Sequence, residues 1–270
     1  MTERLPISTE HCVIERDGHV VTVTMNRPEA RNALSSAMLV GLADAWAYMS
    51  DTPDVRVGIL TGAEGTFCAG ADLKAMSQQP SDPRIRERMA RIPNFHWKGL
   101  LREGRPTKPL ICAIEGYAVA GGTELLVGTD LRVVAEDATL GLYEARRGLF
   151  PMGGSAIRLP RQIGYANAMD ILLTARSVTP QEALAMGLIN KIVPPGTALD
   201  AARELAGQIA DCGPLAVQGI LRTYRETEHL SEEEALKISD EIGWPVIASD
   251  DAKEGSRAFK EKRPPVYRGA

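Results

Sequence analysis

The sequence is poor in the residues that build metal sites, disulfide frameworks and membrane spans. Its 270 residues hold four cysteines (Cys12, Cys68, Cys112, Cys212) and four histidines (His11, His19, His96, His229). No CxxC pair and no Cys/His spacing suited to zinc is present, which argues against a metal centre. Scattered single thiols in a chain of this size read as reduced, so a cytoplasmic setting is expected. No apolar run approaches the ~18 residues needed to span a bilayer. Residues 1–10 contain two glutamates and no apolar centre, so no signal peptide is expected there. Basic charge is not in excess either: Lys plus Arg number 31 against 35 for Asp plus Glu, a net charge of −4. That balance argues against a protein that holds nucleic acid or an anionic membrane surface with an excess of Lys and Arg.

Several catalytic motifs are missing as well. No GxSxG, HExxH or GxGxxG occurs. Residues 116–123, GYAVAGGT, come within one residue of a phosphate-binding loop, but Gly122 stands where that loop needs its lysine. The histidines have no partner pattern. Serine-hydrolase, metal and nucleoside-triphosphate chemistry all lose their main group.

What remains is a chain of ordinary globular composition, 44% hydrophobic and 24% charged, long enough to bury a core without staples. Alternating apolar residues Cys12, Ile14 and then Val21, Val23, Met25 flank Asp17-Gly18 and predict a β-hairpin. Leu34, Met38, Leu42, Ala45 and Met49 recur at helical spacing over 34–50. Short apolar runs at 55–60, 110–114 and 131–135 predict buried strands, with a helix from about Gly122. A long helical stretch is expected over 81–102. Its arginines Arg84, Arg86, Arg88 and Arg91 read as a solvated face. Thr179-Pro180-Gln181-Glu182 is a helix start with proline at the first helical position. Ser231 to Glu234 is a capping box. Strands alternating with helices predict an α/β core over 1–195. A helical region is expected over 196–270, too small to stand alone and suited to packing on the core or on another subunit.

Two glycine-rich loops stand at strand ends, Gly62 to Leu73 and Gly116 to Leu125. Glycine lets backbone approach a ligand closely, and a following helix leaves its first N–H groups unpaired. Two such loops could meet on one oxygen as an oxyanion hole.

GTFCAGADL, then GYAVAGGTEL, then YEARRGLFPMGGS resemble, in order, the crotonase superfamily of enoyl-CoA hydratases and isomerases. VTMNRPEARNAL, ARSVTPQEALAMGLINKIVP and DDAKEGSRAFKEKRPP extend the resemblance over nearly the whole chain. The resemblance implies a spiral core of repeated β-β-α units in two stacked sheets. It implies a C-terminal helical region used to form a homotrimer or a dimer of trimers. It also implies an acyl-CoA thioester substrate, with no cofactor beyond the coenzyme A of that substrate and no metal. Carried over by position, Ala71 and Gly121 would donate the oxyanion-hole N–H groups. Glu124 and Glu144 would be the two catalytic carboxylates that hold a water. Ala69, Ala71, Asp72, Leu73 and Lys74 would hold the CoA, and Lys262 would reach a neighbouring subunit's CoA. The implied reaction is addition of water to a 2-enoyl-CoA, or its reversal. Double-bond isomerisation and a catalytically silent binding role are the alternatives.

The family pattern is departed from at three places: Tyr143 before Glu144, Thr123 before Glu124, and the bulky Phe150-Pro151-Met152 before Gly153-Gly154. Met76, Met89, Phe150, Met152 and Trp244 are expected nearest the acyl chain. That lining carries no charge, so a medium-length or bulky apolar acyl group is expected rather than a dicarboxylate or a cation.

Overall fold

The computed structural model describes residues 2–72, 74 and 80–270. Leu73 and Met76 lie outside the described residues. The expected hairpin forms from β2 (Cys12–Asp17) and β3 (Val20–Met25). Its turn sits one residue later than expected. Asp17 pairs with Val20, so Gly18 and His19 are the loop residues, and Gly18 supplies the positive φ of +57°. β1 (Glu3–Arg4) adds to β2 at the edge. Helix α1 (Ser36–Asp51) starts where Ser35 caps the Met38 N–H, and it buries Met38, Leu42, Ala45 and Met49.

The strands β4 (Val57–Gly62), β5 (Leu110–Ile114), β7 (Leu131–Ala135) and β10 (Lys191–Val193) continue the sheet in parallel, giving the order β1-β2-β3-β4-β5-β7-β10 among the described residues. A second sheet holds β6 (Tyr117–Val119), β8 (Thr139–Gly141) and β9 (Ser177–Val178). Parallel strands covered on both faces need apolar side chains, which is why β5 reads as an unbroken apolar run. This is the expected α/β architecture of two sheets.

The packing corrects one expectation. The stretch 81–102 is not one helix but two, α2 (Pro83–Arg91) and α3 (Phe95–Gly99). Pro93 offers no N–H and disfavours helical backbone at Ile92, and Asn94 turns left-handed at φ +55°. Within α2, Arg84, Arg86 and Arg91 are exposed, but Arg88 donates to Asp44 on α1 and to the Ile7 carbonyl at 2.8 Å, so it fastens α2 to the core.

The helix after residue 195 packs on the core, one of the two places expected for the helical region. α8 (Ala198–Ala210) lays Ala198, Ala202 and Ala206 on Val57, Ile59, Ile111, Ala113 and Val133 of the first sheet. Alanines four apart let the helix approach closely, so α8 belongs to the core. The helices outside the sheet core are α9 (Pro214–Thr227), α10 (Glu232–Ala248) and α11 (Asp250–Glu261). Ser231 and Glu234 form the expected capping box at the start of α10. Between β7 and α8 lie α5 (Ser155–Ile163), α6 (Tyr165–Thr174) and α7 (Pro180–Ala185), the last with Thr179 and Glu182 in a capping box. α4 (Gly121–Gly128) is buried along its whole length.

Candidate active site

The two glycine loops meet. Cys68 and Ala118 form a parallel bridge, with the Cys68 N–H donating to the Tyr117 carbonyl (2.7 Å) and the Val119 N–H to the Cys68 carbonyl (3.0 Å). Buried Asn32 braces the first loop from behind. Its side-chain amide donates to the Ala63 and Thr66 carbonyls, and its Oδ1 accepts the Arg27 N–H. Gly70 takes φ +99°, and a methyl group there would stand 2.9 Å from the Ala120 Cβ. Across the junction, a methyl group on Gly121 would stand 3.5 Å from the Ala71 nitrogen. Ala71 and Gly121 are therefore neighbours although fifty positions separate them.

Ala120 holds φ +49° and ψ −119°, a conformation rare outside glycine. It ends β6 abruptly and starts α4 at Gly121, whose N–H has no carbonyl four residues earlier in a helix to bond. Among the described residues neither the Ala71 nor the Gly121 N–H donates to a protein acceptor. Two unclaimed N–H groups side by side at a cavity wall are suited to an oxygen that gains negative charge.

The cavity they face has a volume of about 310 Å³. Glu124, on the first turn of α4, and Glu144, after β8, line it with Ala69, Ala71 and Gly121. Glu124 is 5% exposed. Burial, and then the charge of Glu144, push its carboxyl up to about 7, against hydrogen bonds from Ser155 and Gly153. Ser155 Oγ donates to Glu124 Oε1 at 3.3 Å. Burial also raises Glu144, opposed by its own backbone and by Arg147. Its Oε2 is buried without a hydrogen-bond partner among the described residues. Two carboxylates of raised pKa on one cavity are the arrangement that lets one hold a proton while the other accepts one near neutrality. Among the described residues no group of three or more His, Cys, Asp or Glu could hold a metal ion.

The profile of the family described as enoyl-CoA hydratase/isomerase matches residues 15–270. The chain belongs to that family. It is 54% identical over 258 residues to enoyl-CoA hydratase EchA19 of Mycobacterium tuberculosis, covering 94% of this chain and 95% of that one. It is 37% identical over 266 residues to the (E)-benzylidenesuccinyl-CoA hydratase of Thauera aromatica, covering 95% and 98%. The crystal structure of enoyl-CoA hydratase EchA1 from Mycobacterium marinum superposes with a TM-score of 0.89 at 40% identity, covering 97% of this chain and all of that one. The fold is thus that of the crotonase superfamily.

Within this family frame the expected residues separate. Ala69, Ala71, Gly121, Glu124 and Glu144 come together at the cavity. Asp72 does not line it; its carboxylate pairs with Arg27 at 2.7 Å and holds the loop in place. Lys74 is exposed, and Leu73 is not among the described residues. Lys262 caps α11 in a left-handed conformation at φ +54°, exposed and outside this cavity.

The acyl lining differs from the expectation. Phe150 and Met152 are in it, but Met89 packs against the core and Trp244 stands 65% exposed on α10. Trp97 and Leu100 take their places because the break at Pro93 turns α3 toward the cavity. The lining also carries a charge that was not expected, Arg147.

The unusual residues beside the glutamates fit locally. Thr123 Oγ1 accepts the Gly141 N–H (3.1 Å) and lies 2.6 Å from the Ala118 carbonyl, tying β6 to β8. The Tyr143 ring packs over Gly141, where any Cβ would strike it at 2.5 Å, and its hydroxyl meets Ser177 at 2.9 Å. Sequence reasoning missed Ser155 and Gly153 as contacts of Glu124; the Gly-Gly-Ser before an apolar helix was the available signal.

Proposed function

We propose that this protein hydrates a 2-enoyl-CoA to the 3-hydroxyacyl-CoA, with Glu124 and Glu144 as the acid–base pair and the Ala71 and Gly121 N–H groups as the oxyanion hole. The observation that carries this reading is the pair of carboxylates, buried Glu124 and half-buried Glu144, facing the same cavity as two unclaimed backbone donors. The thioester oxygen binds between the two N–H groups. A water held by the carboxylates gives one proton to the ionised glutamate as its oxygen bonds to C3. The electron pair of the C2–C3 double bond moves onto the thioester oxygen, giving an enolate. The protonated glutamate then supplies a proton to C2. Each N–H contributes ~3 kcal/mol of transition-state stabilisation by the measure of similar sites. Coenzyme A enters as part of the substrate, and the chemistry calls for no other cofactor.

The apolar wall suits a medium-length or bulky apolar acyl group, and the positive Arg147 disfavours a cationic one. CoA is held by the 69–74 loop, with Lys262 reaching the CoA of a neighbouring subunit. The helices beyond Pro214 leave Ile220, Trp244, Ile247 and Phe259 exposed. We assign them to a trimer or a dimer of trimers. No described helix is long and apolar enough to cross a membrane. The experiment is a turnover assay with a panel of trans-2-enoyl-CoAs of rising length and bulk, following loss of the conjugated thioester and identifying the 3-hydroxyacyl product. No hydration of any member overturns the reading.

A further inference from the structure

One side of the apolar wall is not held by burial: Leu100 belongs to the core and Trp97 packs against it, but residues 149–152 do not. Phe150 is 66% exposed, Met152 48% and Leu149 47%, so core packing does not fix their positions. Two arginines bridge the wall from opposite sides. Arg102, from the segment carrying Trp97 and Leu100, donates Nη1 to the Met152 carbonyl at 2.9 Å, and its guanidinium lies 4.5 Å from the Trp97 ring centroid. Arg158, from α5, donates Nη2 back to the Leu101 carbonyl at 2.5 Å, with the Arg102 carbonyl at 3.4 Å. Each segment thus supplies a guanidinium to the other's backbone.

The backbone is shaped to receive this. Leu101 is fully buried at φ +57°, an unfavourable conformation for leucine that persists only where its surroundings impose it. Gly128 leaves the space: a methyl group there would stand 2.8 Å from the Leu101 Cβ and 3.3 Å from Arg158 Nη1. The same helix also reaches the chemistry. Ser155, one turn before Arg158 on α5, is the donor to Glu124. One rigid element therefore sets both the carboxylate and the wall.

We propose that Arg102 and Arg158 form a reciprocal clamp that fixes Phe150 and Met152 against the core-held Trp97 and Leu100, making both arginines positioning residues that determine acyl specificity. This rests on the acyl-CoA reading above.

The test compares wild type, Arg102→Met, Arg102→Lys and Arg158→Lys. Substrates run from crotonyl-CoA to decenoyl-CoA, with cinnamoyl-CoA as a bulky member. Binding of the saturated butyryl- and decanoyl-CoA is measured by calorimetry, without turnover. Arg102→Met should flatten the profile: kcat/KM for the preferred long or bulky substrate relative to crotonyl-CoA falls at least fivefold, mainly through KM. Decanoyl-CoA binding should weaken in parallel while free CoA does not change, and the pH profile should keep its break. Arg102→Lys should recover part of the loss. Arg102 is exposed, so its variants carry the test even if Arg158→Lys misfolds. A profile superimposable on wild type overturns the clamp, as does an equal fall in kcat for all acyl groups with a displaced pH break. A wild-type protein that binds acyl-CoA but hydrates none of the panel overturns the hydratase reading, while the calorimetry still decides the clamp.

Discussion

Gly153 lies directly against Glu124: a methyl group at position 153 would stand 2.8 Å from both the carboxyl carbon and Oε2. Gly153 is not among the positive-φ glycines, so the obstacle to alanine is the steric contact with Glu124. Gly153→Ala should push the carboxyl out of line and lower kcat for hydration at least tenfold, with a loss of stability of only ~1–2 kcal/mol. Steady-state kinetics beside thermal melts check this; an active Gly153→Ala would show that the carboxyl has room to move.

Glu124→Gln and Glu144→Gln should each reduce hydration by ~10²-fold or more, the scale of a lost general acid or base. Free CoA should bind both variants as it binds wild type. If Glu144→Gln hydrates at nearly the wild-type rate, the two-carboxylate mechanism is wrong. Lost hydration with retained double-bond isomerisation would instead favour an isomerase.

The raised Glu124 carboxyl makes stability depend on pH in a particular direction. Its folded value near 7 lies above the ordinary value of 4.5, so the folded protein binds the proton more tightly than the unfolded chain. The group costs nothing below about pH 4.5, the cost grows between there and 7, and it is constant above. The full cost is on the order of 3 kcal/mol. Glu124→Gln should therefore stabilise the protein more at pH 8 than at pH 5, as read from urea midpoints. An equal effect at both pH values would mean the carboxyl is not perturbed.

Specificity should climb with apolar bulk. Each buried methylene adds ~0.8 kcal/mol, so kcat/KM should rise along the enoyl series until the wall is reached. Trp97→Ala should extend that rise to longer or wider acyl groups. A flat series, or a preference for a cationic acyl group despite Arg147, would show the cavity has been misread.

Light scattering should report about three or six times the 29.2 kDa chain mass. Removing residues 214–270 should give insoluble protein, since it strips the helices that carry the exposed apolar residues and uncovers what they pack on. A monomer at micromolar concentration would contradict the assembly.

The sequence by itself determined much of this protein. Strands β5 and β7, the Ser231–Glu234 capping box and the helix start at Thr179-Pro180 were legible because they depend on local apolar runs and on residues a few positions apart. The loops at Gly70 and Gly121 and the glutamates at 124 and 144 were legible through their resemblance to a family. Tertiary structure decided the rest, because each depends on residues distant in sequence. Only folding brings the Ala71 and Gly121 N–H groups together and sets Ser155 and Gly153 on Glu124. Only packing shows that α8 covers the sheet, that Pro93 and Asn94 turn Trp97 into the cavity, and that Trp244 stays out of it. Periodicity reports which face of a segment is apolar, but not what that face meets.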